Sequence, residues 1–166
     1  MSLEEYQARY ANESGYEFWF GEVVRKGLPT WFHAVLQGLL TQILYENGYI
    51  AGSELDLRVS RNFQPKPDVA AALEIAREDY PTKPVDIVIE ILSPDDAMAT
   101  VMEKCAHYTG LGIAQIYVFD PVERWAAQWD KATKQLPKIT ELRLTNASVA
   151  SVADIFARFD ERLKKR

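Results

Sequence analysis

Cysteine and histidine are scarce in this chain: one cysteine, Cys105, and two histidines, His33 and His107. A single thiol excludes an intramolecular disulfide and any cysteine-rich zinc site. Two histidines are too few for a multi-histidine metal centre. No apolar run approaches the roughly 20 residues that a membrane-spanning helix needs. The opening Met1-Ser2-Leu3-Glu4-Glu5 lacks the basic and apolar blocks of a secretory signal, so the expectation is a cytoplasmic protein with no membrane partner. Gly-rich phosphate loops are missing, and Ser93 lacks the glycine frame of a nucleophile elbow, which argues against a serine hydrolase. Positive charge is short as well. Lysine and arginine number 19 against 24 aspartates and glutamates, a net charge of −5. That disfavours a polyanion binder relying on charge alone. It leaves room for a nuclease, whose metal-holding carboxylates themselves lower the net charge.

What the chain does contain suits an ordinary folded protein. Its 166 residues, 48% of them apolar, are enough for one domain, residues 1–166, with a sizeable core. Residues 2–13 predict a helix with a Ser2/Glu5 capping box. Tyr16 to Val24 alternates like a strand and is broken at Gly21. Thr30 is placed to cap the longest helix, whose Phe32, Val35, Leu36, Leu39, Leu40 and Ile43 recur at helical spacing, with Gly48 at its end. From Glu54 to Ser60 the period is two, predicting a strand with Glu54, Asp56 and Arg58 on its wet face. Pro67 can only begin the short strand that runs to Ala72, or lie at an edge.

The stretch from Pro84 to Lys104 organises the rest. Residues 85–92 form a near-continuous apolar run, the mark of a strand buried on both faces. A helix over 98–109 and a second apolar strand over 113–119 follow, so the three make a parallel crossover. Arg124–Trp129 and Ile139–Leu144 read as outer strands, and 152–165 as a closing amphipathic helix with basic residues at its C-terminal end. The pattern is an α/β fold with a mixed central β-sheet flanked by helices.

Glu90 interrupts the buried run, and carboxylates rarely occupy such strands without a partner. Asp68 begins the preceding strand. If the two strands are neighbours, Asp68 and Glu90 converge on one Mg²⁺ or Mn²⁺ ion, which prefers hard oxygen ligands. Lys104, on the following helix, can orient or help deprotonate a water, or stabilise charge on a phosphate. Glu22 offers a further ligand. Tyr108 lies one turn beyond Lys104, and His33 heads the long helix; both are candidate substrate contacts. Each has a plainer reading. Glu90 can be a structural acid in an ion pair, Asp68 a turn residue after Pro67, Lys104 and Glu22 solvated surface charges, and His33 and Tyr108 packing groups.

Pro67-Asp68-Val69, then Val88-Ile89-Glu90-Ile91-Leu92-Ser93-Pro94, then Lys104 with Tyr108, Gly110, Gly112, Ile113 and Asp120-Pro121, resembles the Uma family of restriction-endonuclease-like proteins, within the wider PD-(D/E)xK nuclease superfamily. Gly21-Glu22-Val23-Val24 with His33, and the stretch from Ser148 to Phe156, add to the likeness, which spans roughly residues 5 to 156. The resemblance implies a restriction-endonuclease-like fold, with Asp68 and Glu90 as metal ligands, Glu22 as an auxiliary acid and Lys104 as the catalytic lysine. The superfamily lysine normally stands two residues after the second acid. Leu92 holds that position here, and Lys104 in the following helix takes its place.

The expected function is then Mg²⁺- or Mn²⁺-dependent hydrolysis of DNA phosphodiester bonds, with a homodimer supplying one site per strand. Two other readings stay open: a catalytically silent module that keeps the fold for nucleic-acid or protein binding, and a hydrolase of some other phosphate ester.

Overall fold

The computed structural model describes residues 1–164; Lys165, in the predicted closing helix, lies outside them. Helix α1 (Leu3–Tyr10) opens the chain with the expected box, the Glu5 amide donating to Ser2 Oγ and the Ser2 amide to Glu5. The predicted strand over Tyr16 to Val24 is instead a hairpin, β1 (Tyr16–Trp19) and β2 (Glu22–Arg25). Phe20 and Gly21 have φ of +49° and +92°, and two such residues make the tight turn whose twist suits antiparallel strands. Strand β3 (Ile50–Ser53) follows helix α2 (Trp31–Glu46), and β4 (Phe63–Gln64) pairs with β1.

The main sheet joins β3 to β5 (Val69–Ala72), β6 (Ile87–Ile91), β7 (Gln115–Asp120), β8 (Trp125–Gln128) and β9 (Lys138–Ile139), in that spatial order. β6 and β7 are parallel, joined through helix α3 (Met98–Gly110) as the sequence predicts; every other pair is antiparallel. A small hairpin, β10 (Glu141–Arg143) and β11 (Val149–Ser151), leads into helix α4 (Val152–Lys164).

Alternation along the strands divides the core in two. Val69, Ala71, Ile87, Ile89, Ile91, Tyr117 and Phe119 face α2 and α4, meeting Leu36, Leu40, Ile43, Phe156 and Phe159. Ala70, Ala72, Val88, Ile116 and Val118 face α3, meeting Cys105 and Tyr108. Glu90 shares the parity of Val88, so the pleat alone turns it towards α3.

Two predicted strands differ. Residues 54–60 are irregular: Glu54 takes φ of +55° and leaves the sheet, and the strand lies just before it, at Ile50–Ser53. A period-two pattern reports only sidedness. Here Leu57 satisfies it by burial beside Trp19 and Phe63, its amide donating to the Pro65 carbonyl rather than into a ladder. Residues 139–144 divide at Thr140 between β9 in the main sheet and β10 in the small hairpin.

Candidate active site

Three acids gather at one end of β3, β5 and β6: Glu54 just past β3, Asp68 just before β5, and Glu90 within β6. Ser53 opposes Val69, and Val69 opposes Ile89, so Glu54, Asp68 and Glu90 each stand one residue beyond the last pair of these ladders. The amide of Glu54 donates to the Asp68 carbonyl, and the amide of Ile91 donates to Asp68 Oδ2 at 2.7 Å. Glu54, Asp68 and Glu90 line the same cavity of about 700 Å³.

A fourth acid comes from β1. Glu17 Oε2 accepts from Trp19 Nε1 at 3.0 Å, and its Oε1 from the Lys66 amide at 2.7 Å. Lys104 reaches down from α3 and sits between Glu17 Oε1 and Glu90 Oε1, 2.8 Å from each. Tyr108, one turn on, donates its hydroxyl to the same Glu90 oxygen. Lys26, just past β2, bridges the other two acids: its Nζ lies 2.6 Å from Glu54 Oε2 and 3.1 Å from Asp68 Oδ1, and donates to the Lys66 carbonyl at 2.7 Å. From α2, the Thr30 hydroxyl accepts the His33 amide and fixes the first turn. His33 Nε2 then lies 3.3 Å from Asp68 Oδ2, while Gln37 Nε2 donates to Glu54 Oε1 and to the Asp68 carbonyl.

The structure therefore brings together Asp68, Glu90, Lys104, His33 and Tyr108 and leaves out Glu22, which stands exposed on β2. Glu17, from β1, is the acid that meets Lys104 across from Glu90. His33 and Tyr108 are buried against the acids, so each faces a carboxylate rather than open solvent. Sequence reasoning missed Glu17, Glu54 and Gln37 and offered Lys26 only as a rim charge for nucleic acid, not as a partner of the acids. Glu17 carried the same signal as Glu90, an acid among buried strand residues, Phe18 and Trp19. Lys26 read as loop and Glu54 as the wet face of a strand that does not form.

Burial without enough positive charge shapes the electrostatics. Burial pushes the Glu90 carboxyl up to about 7, against the opposing pull of Lys104, with Asp68 adding repulsion. Burial also raises Glu54, despite Lys26. At Asp68 burial pushes up too, but the hydrogen bond from His33 and the charge of Lys26 outweigh it and hold the carboxyl well below its usual range. For Lys104, burial disfavours the charge, yet Glu17 and Glu90 overcome it and the amine is held well above its ordinary value.

The donors suit a hard divalent cation. Four carboxylates face two lysines, and Glu90 Oε2 accepts no hydrogen bond among the described residues. Among the described residues no three His, Cys, Asp or Glu side chains gather as a ligand set; Mg²⁺, which retains several waters, needs only one or two carboxylates. Asp68 and Glu90 meet that requirement. No helix among the described residues is long and apolar enough to cross a membrane.

Comparison with known proteins gives the family and the fold. The sequence model of the family Uma2, "Putative restriction endonuclease", matches residues 3–154. A crystal structure from Anabaena variabilis ATCC 29413, described as "a putative nuclease belonging to DUF820", superposes with a TM-score of 0.79 at 19% identity, covering 96% of this chain and 99% of that one. At that identity the likeness establishes the fold. No curated protein matches the chain significantly.

Proposed function

Since the chain belongs to the Uma2 nuclease family, we propose that it is a metal-dependent endonuclease hydrolysing DNA phosphodiester bonds, with Asp68 and Glu90 holding Mg²⁺ or Mn²⁺. The observation that carries this reading is that Asp68, hydrogen-bonded by the Ile91 amide of β6, lines one cavity with Glu90, while Lys104 reaches Glu90 from the crossover helix. When bound, the ion supplies Lewis-acid polarisation of a phosphoryl oxygen and a more acidic water.

The chain's own residues do the rest. Lys104 is charged at neutral pH, so it serves as a fixed cation and hydrogen-bond donor for a phosphate oxygen or water rather than as a base. Tyr108 and Lys104 together fix Glu90 Oε1 and leave Oε2 for the ion. His33 and the Ile91 amide fix Asp68 Oδ2. Glu17 holds Lys104 in place through a bond that Trp19 and the Lys66 amide brace from behind. A homodimer would present two such sites to the two strands of a duplex.

One observation favours a second reading. Every acid of the cluster already touches a lysine or a histidine, which suits a silent module that binds nucleic acid without cutting it. Calorimetric titration with Mn²⁺ and nicking of supercoiled plasmid separate the two. The nuclease reading expects Asp68→Asn and Glu90→Gln to lose the binding signal, and Lys104→Met to keep it while losing nicking. Mn²⁺ binding that is indifferent to Asp68 and Glu90 would refute it.

A further inference from the structure

Lys26 is absent from the roles above, yet it makes more contacts with the acids' oxygens than a surface lysine needs. Its ammonium meets three oxygens at 2.6 to 3.1 Å: one from Glu54, one from Asp68 and the Lys66 carbonyl. Two carboxylates and a backbone carbonyl are the donor types that hard divalent cations take.

Those oxygens are held by groups other than Lys26. Gln37 fixes the second oxygen of Glu54 and the Asp68 carbonyl. The Ile91 amide and His33 fix the second oxygen of Asp68. The Lys66 backbone is anchored by the hydrogen bond its N–H donates to Glu17 Oε1. The cradle is therefore built without the ammonium that fills it, and only a flexible four-carbon stem ties that ammonium to the chain.

We propose that Lys26 is a tethered cation that occupies an oxygen cradle shared with the metal ligand Asp68, and so competes with the divalent ion for this site. Withdrawal of the side chain into the adjoining cavity, which Lys26 itself lines, exposes Asp68 Oδ1 to an incoming ion. Lys26 is thus a positioning residue that weakens metal binding and keeps the acids neutralised when no metal is present. The inference rests on the reading of Asp68 and Glu90 as metal ligands.

The test compares Mn²⁺ binding by calorimetry in the wild type, Lys26→Met and Lys26→Arg, with circular dichroism and melting curves for each. Competition expects Lys26→Met to bind Mn²⁺ at least about tenfold more tightly, with Lys26→Arg close to wild type, and Mn²⁺ to raise the melting temperature of Lys26→Met by more than it raises that of the wild type. A Lys26→Met protein that folds only when Mn²⁺ is added also supports it, because the ion then replaces the ammonium. One that stays unfolded at millimolar Mn²⁺ overturns it. Equal binding by wild type and Lys26→Met overturns the competition alone and leaves the ligand assignment intact. Silence from both proteins overturns the ligand assignment and the competition together.

Discussion

Lys104 and Glu17 lie 87 positions apart in the chain and meet at 2.8 Å, both buried. A strand of the small N-terminal sheet is thereby cross-linked to the helix that crosses between β6 and β7. Removing the ammonium strands two acids, Glu17 and Glu90, in a region with little water. Lys104→Met is therefore expected to cost about 3–5 kcal/mol, read as a lower urea midpoint. Adding Glu17→Gln should recover part of that loss, giving a coupling term in a double-mutant cycle.

The raised carboxyl of Glu90 sets a pH dependence. Folding lifts it from 4.5 to about 7, so the folded protein keeps a proton that the unfolded chain has released. Stability then falls as pH rises from about 4.5 to about 7, and the penalty is complete above that. Denaturation at about pH 5 and about pH 8 should show a smaller decline in Glu90→Gln than in the wild type. If Glu90 holds Mn²⁺ as proposed, the ion competes with that same proton, and its affinity is expected to weaken as pH drops below about 7.

Asp68 behaves in the opposite sense. Its folded carboxyl lies below the unfolded value because the His33 hydrogen bond and Lys26 outweigh burial. The stability it contributes is present above the unfolded value and is lost as pH falls through the folded one. His33→Ala removes the hydrogen bond and should shift acid unfolding to higher pH, with the Asp68 carboxyl carbon titrating at higher pH, earlier on the way down, in NMR.

Trp19 braces Glu17 through Nε1 at 3.0 Å while its ring packs against Phe63. Trp19→Phe keeps most of the ring burial and removes one hydrogen bond to a buried acid. A loss of about 1–3 kcal/mol is expected. If Glu17 positions Lys104, the same variant should also reduce plasmid nicking more than its stability loss explains.

Much of the architecture was legible. The apolar run at 85–92 and the helix after it foretold the parallel crossover, because a strand buried on both faces leaves few alternatives. Thr30 and the Ser2/Glu5 box marked helix starts, since capping is local chemistry. Asp68, Glu90 and Lys104 could be picked out because a charge inside an apolar context is conspicuous, and the structure brings all three to one cavity. Glu22 drew attention through its place beside Gly21, yet the two-residue turn leaves it on the exposed side of β2. The meeting of Lys26 with Glu54 was invisible for a different reason. Each stands just beyond the end of a strand, where no periodicity operates, and the two lie 28 positions apart in the chain.

The rank of Glu54, Asp68 and Glu90 depends on strand pairing and not on the lengths of the connections between them. Extra residues grafted into 73–86 ought to leave the three acids abreast, since β5 and β6 would still pair Val69 with Ile89. One residue inserted within β5 is a different matter. It would carry Asp68 through half a pleat, to the side where Val69 now meets α2, and would separate the acids without enlarging or shrinking any loop.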